Sequence, residues 1–216
     1  MGAITRSIAN NITTSGVFTS SAIANSSVTG ITALANASDG ITFISSQTAS
    51  NSASLSFTSG LTSTYKAYKF VFSNIHARTQ SFFTFNFSTD AGSNYNVTKT
   101  TTNFTSFHDE ADTDAGLSYR TAADLAQSTA FQNLGGYTEL LTDADASLTG
   151  SMILFNPSST TYVKHFIANT QVYGESSYST QSHIAGYGNT TSAINAIQFK
   201  LVSGNFDGTI YLYGIK

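Results

Sequence analysis

Residues 65–75, YKAYKFVFSNI, and 81–95, SFFTFNFSTDAGSNY, decide the fold class. In the first, Tyr68, Phe70 and Phe72 alternate with Lys69, Val71 and Ser73; in the second, Phe83, Phe85 and Phe87 alternate with Thr84, Asn86 and Ser88. Bulky aromatics at a strict period of two belong to strands that bury one face, because successive side chains of a strand point to opposite sides. Asp90 to Asn94 then reads as a turn. The same rhythm returns at the end of the chain, where Ile197, Phe199 and Leu201 alternate with Gln198, Lys200 and Val202. The stretch SGNFDGT carries an Asp207-Gly208 turn signal before TIYLYGIK, which predicts a hairpin. Further strands are expected at Ala53 to Phe57, Asn94 to Thr102, Ser151 to Phe155, Tyr162 to Tyr173 and Ser182 to Tyr187. Tyr119 to Leu134 is open to a helix, a strand or a short turn, since its Thr, Ser and Asn residues lower helix propensity. Pro157, the sole proline, marks a loop. Eight or so strands without long helices predict an all-β, jelly-roll-like antiparallel β-sandwich over residues 51–216.

Composition agrees. Only 10% of the 216 residues are charged, while Ser and Thr make up roughly 30%, so polarity rests on hydroxyls suited to strands and turns. A hydrophobic share of 40% with 12% aromatics supplies enough apolar area to order the chain. The net charge is −3 and no Lys/Arg cluster occurs, which argues against nucleic-acid binding. With no cysteine, disulfides, thiolate metal sites and cysteine nucleophiles are excluded. No apolar run of membrane-spanning length is present, the start MGAITRSIANNITTSG lacks the features of a classical leader, and Arg6 stands where myristoylation wants Ser or Thr. No membrane insertion is expected.

Residues 1–50 differ from the rest. Arg6 and Asp39 are their only charges and apolar residues occur singly, so an extended N-terminal anchoring arm is expected there, with one or two short strands near Ile31 to Ile44.

Candidate sites are few. Eight of the twelve acidic residues (Asp109, Glu110, Asp112, Asp114, Asp124, Glu139, Asp143 and Asp145) lie between positions 107 and 145, with Arg120 the only base among them. Asp109, Glu110, Asp112 and Asp114 offer hard oxygen ligands for Ca²⁺, although their spacing is not that of an EF-hand; the bland reading is a solvated loop. TDADAS at Thr142 to Ser147 is a weaker version of the same pattern. Glu110 and Glu139 are the carboxylates a polysaccharide depolymerase would need as acid and base. His76, His108, His165 and His183 are too scattered for a ligand set, and no G-x-S-x-G elbow is present. Tyr173, Tyr178 and Tyr187, in QVYGESSYSTQSHIAGYGN, have the composition of recognition loops, set against the simpler alternative that they pack on a sheet face.

The stretches DAGSNYNVTKTTTNF, FHDEADT, DLAQSTAFQ and ILFNPSSTTYVKHFIA, and above all NTTSAINAIQFKLVSGNFDGTIYLYGIK, resemble virion structural proteins of tailed phages infecting marine bacteria. There such segments form the C-terminal sandwich of tail-fibre-like or appendage proteins. The resemblance spans roughly residues 41–216 and carries no catalytic motif. It implies a non-enzymatic component of the particle surface. On that footing the expected protein is a short tail or head fibre, docked on other virion proteins through residues 1–50, assembled as a homotrimer and able to touch a host surface glycan or protein. The chain has no long shaft, so a capsid decoration protein is the alternative.

Overall fold

The structure, a computed structural model, describes residues 40–174 and 177–216. Among the described residues there are twelve strands: β1 (Ile41–Ser52), β2 (Ser54–Phe57), β3 (Ala67–Ala77), β4 (Phe83–Ser88), β5 (Lys99–Asp109), β6 (Ala115–Tyr119), β7 (Gln132–Asn133), β8 (Leu148–Phe155), β9 (Lys164–Gly174), β10 (Tyr178–Gly188), β11 (Ala196–Leu201) and β12 (Phe206–Ile215). They form an antiparallel eight-stranded sheet, β1-β12-β3-β8-β9-β10-β5-β6, facing a four-stranded one, β2-β11-β4-β7. From β1 to β5 the chain changes sheet at every connection, as it does in a jelly roll; β8-β9-β10 is a meander within the large sheet and β5-β6 a hairpin. The all-β sandwich expected from the aromatic alternation is what forms. No helix among the described residues is long and apolar enough to cross a membrane.

The alternation places its aromatics as read. Tyr68, Phe70, Phe72, Phe83, Phe85 and Phe87 are all buried. Phe199 of β11 lies at their centre, with ring centroids 5.3 Å from Phe70 and Phe72, 6.0 Å from Phe83 and 6.3 Å from Phe57 and Phe85. Each such ring contributes about 1.5–3 kcal/mol by leaving water. The Asp90 turn also forms: its carboxylate accepts from Asn94 N–H at 2.9 Å and from Asn94 Nδ2 at 2.7 Å.

Three expectations are corrected. The C-terminal hairpin does not exist: β11 pairs with β2 and β4 in the small sheet, while β12 pairs with β1 and β3 in the large one. Residues 202–205 carry the chain over the rim, so that Phe199 and Phe206 reach the same core from opposite sheets. Asp207-Gly208 is a bulge inside β12, where Gly208 has φ +124° and approaches Asn74 O so closely that a Cβ would stand 2.6 Å from it. Second, Tyr119 to Leu134 is neither helix nor a continuous strand. It runs irregularly beside β5, with Arg120 N–H bonded to Asn103 O, and Thr101 N–H to Leu125 O, each at 2.8 Å. Third, among the described residues pairing runs from Ile41, so the strand expected near Ile44 continues through residues 45–50, where an arm was expected. The expected arm over residues 1–39 lies outside the described residues.

The inner face of β5 is polar, unlike that of β3. Lys99, Thr101, Asn103 and Thr105 are buried there under residues 120–136. Lys164 is equally buried, and both lysines lie opposite Gly188 in the register. Lys164 Nζ donates to Tyr162 O at 2.6 Å and to Thr190 O at 3.2 Å. Neither lysine has an ion-pair partner among the described residues.

Candidate functional site

A depression of about 560 Å³ opens where the inner faces of β5 and β10 run out towards the β5-β6 turn. Five stretches far apart in sequence line it: Gln80 and Phe82 before β4, Phe107 of β5, Asp114 and Arg120 flanking β6, Tyr137 to Glu139 after β7, and Tyr178 and Thr180 of β10.

Arg120 organises the wall. Its Nε donates to Thr105 Oγ1 at 2.6 Å, and the guanidinium carbon stands 4.7 Å from the centroid of the Tyr137 ring and 5.5 Å from that of Phe107. A planar cation over aromatic faces is attracted by the ring quadrupole. Arg120 has no ion-pair partner among the described residues, so the stacked pair of Arg120 and Tyr137 is available to a ligand. Tyr137 itself is 66% exposed. Its position follows from the Gly135-Gly136 step: Gly136 has φ +65°, and a Cβ there would stand 2.3 Å from Ser182 Oγ. Only glycine lets the loop come so close to the sheet.

The opposite side is acidic and hydroxylic. Tyr178 donates its hydroxyl to Asp114 Oδ2 at 2.9 Å, and this bond to a carboxylate raises the tyrosine's pKa. Gln80 Nε2 donates to Glu139 Oε2 at 3.0 Å, and Thr138 Oγ1 to Thr180 Oγ1 at 3.3 Å. Asp114 and Glu139 thus share a cleft with four aromatic rings, one arginine and one amide. Chemically it offers ring faces for stacking, with donors and acceptors at the rim.

The residues singled out by sequence are distributed as follows. Asp109, Glu110, Asp112 and Asp114 occupy the β5-β6 turn but do not converge: among the described residues no group of three or more acids or histidines is placed to hold a metal ion. Asp109 instead shapes the turn. It accepts from the Thr113 hydroxyl, from Thr113 N–H at 2.9 Å and from Asp114 N–H at 3.0 Å. Chiefly through the Thr113 hydroxyl and Asp114 N–H, its pKa falls to about 2. Asp112 lies 3.2 Å from His108 Nε2. Glu110 and Glu139 are separated: Glu110 lines a shallower depression with His108, Asp109 and Tyr173, and the carboxylate that shares the cleft with Glu139 is Asp114. The three tyrosines also part company. Tyr178 lines the cleft, Tyr173 lines the Glu110 depression, and Tyr187 lies on the outer face of the large sheet near His165, with ring centroids 6.2 Å apart.

Sequence reasoning did not assign Arg120, Tyr137, Phe107 or Gln80 to a site. Two signals pointed that way: Arg120 is the lone base in an acidic stretch, and Gly-Gly directly precedes Tyr137. Comparison with protein-family models, with curated proteins and with solved structures finds no match.

Proposed function

We propose that this chain is a structural protein of a bacteriophage particle, an exposed appendage whose cleft holds a carbohydrate of the host surface. The particle role rests on the resemblance of residues 189–216, which fall mainly on β11 and β12. Those strands cross the centre of one sheet and then join the other, so a recurrent pattern there belongs to closing the sandwich and not to chemistry. Docking on other virion proteins through residues 1–50, assembly as a homotrimer and a place on the particle surface belong to the same proposal. Counting copies per particle separates the fibre from a capsid decoration: few copies at one vertex or the tail favour the fibre, hundreds over the head the decoration.

The carbohydrate reading is carried by Tyr137 and Arg120, an exposed ring face braced by a stacked guanidinium and flanked by Asp114, Glu139 and Gln80. A sugar presents an apolar ring face and a rim of hydroxyls. The first suits an aromatic platform, and the second suits carboxylate acceptors and amide or guanidinium donors. Titration calorimetry with oligosaccharides from the host envelope tests it. Tyr137→Ala, on an exposed loop, should raise Kd at least tenfold, about 1.4 kcal/mol, without moving the melting temperature. Equal affinity in the variant removes Tyr137 from the site and the carbohydrate reading with it.

Asp114 and Glu139 in one cleft favour a second reading, hydrolysis of the bound glycan by a carboxylate pair. Against it, both carboxylates already accept hydrogen bonds, from Tyr178 and Gln80. We expect no release of reducing ends from host polysaccharide; release that is abolished by Glu139→Gln establishes the enzyme.

A further inference from the structure

We propose that Lys99 and Asn86 join in an intramolecular amide bond between their side chains, a covalent staple from β5 of the large sheet to β4 of the small one. The inference is independent of what the cleft binds.

Four observations carry it. Both side chains are fully buried, at 0% exposure. Lys99 Nζ lies directly against Asn86 Oδ1, and its other partner is Val97 O at 2.9 Å, so no carboxylate holds it as a salt bridge. The carboxamide is fixed from both ends. Its oxygen accepts from Phe87 N–H at 2.8 Å, while its nitrogen donates to Thr129 O at 2.8 Å and to Ala130 O at 3.5 Å. Finally, burial lowers the lysine's pKa to about 7, so a large share of the amine is uncharged, and therefore nucleophilic, near neutral pH.

The chemistry balances without a co-reactant. Nζ attacks Asn86 Cγ, and charge gathers on Oδ1, where the Phe87 N–H already points. Nζ gives up one proton to Nδ2, the Cγ–Nδ2 bond breaks, and ammonia leaves. The product is a secondary amide in place of an amine and a primary amide. No acidic side chain touches the pair to speed the transfer, so the folded geometry must supply the rate. Holding reactants in contact is worth effective concentrations of about 10⁵–10⁸ M in well-oriented intramolecular cases. The bond should therefore accumulate in the folded protein with time, and faster above pH 7 than below it.

The test is the intact mass of the full chain, followed during incubation under folding conditions on either side of the lysine's pKa. The expected result is a population lighter by one ammonia. Trypsin should then fail to cut after Lys99, releasing residues 79–120 as one looped peptide that yields no backbone fragments between Asn86 and Lys99. Lys99→Met and Asn86→Ala should keep their full mass, and Asn86→Asp should lose water in place of ammonia. An unchanged wild-type mass after prolonged incubation overturns the proposal without reference to any variant. So does an ammonia loss that persists in Lys99→Met, which would come from imide closure on the backbone.

Discussion

An unpaired lysine inside a sandwich makes stability depend on pH, because burial lowers the pKa at which the folded protein gives up its proton. In the unfolded chain Lys99 keeps its proton up to the ordinary value of 10.5, whereas in the folded protein desolvation lowers its pKa to about 7. Between those values the unfolded state binds more protons, so stability rises with pH across that window. Below it both states are protonated and the fold bears the whole cost of a buried ammonium; above it both are neutral and the cost is gone. Each tenfold change in acidity is worth about 1.4 kcal/mol, so the full window amounts to ~5 kcal/mol, an upper bound because water penetration and relaxation soften it. Lys99→Met isolates the effect, since methionine fills a similar volume and carries no charge. In urea titrations of the population whose mass shows the amine intact, the variant should be the more stable protein below pH 7. Its advantage should shrink by about 2–3 kcal/mol between pH 7 and pH 9. A difference between the two proteins that stays flat across that interval refutes the reasoning: Lys99 would then titrate alike in the folded and unfolded chains.

Other consequences can be checked on the same protein. Phe199→Ala removes the ring that touches five other phenylalanines, and should cost about 3–5 kcal/mol in urea unfolding; a loss under 1 kcal/mol would mean that the core collapses around the gap. Asn103 is buried and neither of its side-chain polar atoms has a hydrogen-bond partner, so Asn103→Leu should raise the melting temperature, because an unsatisfied buried amide costs about 1–3 kcal/mol. A lowered melting temperature would instead show that bound water satisfies the amide. A chain beginning at residue 46 loses the β1 partners of Leu212 to Ile215, and should melt below a chain beginning at Gly40; equal melting would show that β12 does not need its edge neighbour there.

What the sequence disclosed and what it hid divide along a physical line. Local alternation is a property of neighbouring residues, so β3, β4 and β11 were readable from their aromatics, and the Asp90 turn from its side chain. Pairing is a property of distant ones. Nothing between Leu201 and Phe206 says whether two amphipathic strands fold on each other or straddle the core, since both arrangements bury the same residues. The cleft was hidden for the same reason. Its lining comes from positions 80 to 180, and only the β5-β10 pairing, in which Tyr178 lies opposite Asp109, brings Tyr178 to the β5-β6 turn and its Asp114. The clustering of acids was visible, but clustering in sequence became dispersion in space: Asp109 turns inward to cap its own loop, and Asp114 faces the cleft.

β5 shows where hydropathy misleads, and why. Read for apolar residues, KTTTNFTSF suggests Phe104 as the buried position. In the structure Phe104 is 40% exposed and stacked on His183, with centroids 4.9 Å apart, while Lys99, Thr101, Asn103 and Thr105 point inward. The inversion follows from what lies above each half of the large sheet. Over β3 and β12 the cover is the aromatic face of β4 and β11, which accepts only apolar partners. Over β5 the cover includes the irregular run from Arg120 to Gly136, whose backbone groups need hydrogen bonds that apolar side chains cannot supply. Thr101 Oγ1 accordingly serves both Leu125 N–H and Gln132 Oε1, Gln132 Nε2 donates to Ala123 O, and Thr170 Oγ1 donates to Leu134 O. The same bonding secures the run that leads from Arg120, through Gly136, to Tyr137. The sandwich is therefore two interiors in series: an aromatic one that holds the sheets together, and a polar one that holds a loop in place over the sheet's end. Substitutions in the first should register in stability alone, and substitutions in the second that loosen the loop should register also in what the cleft can bind.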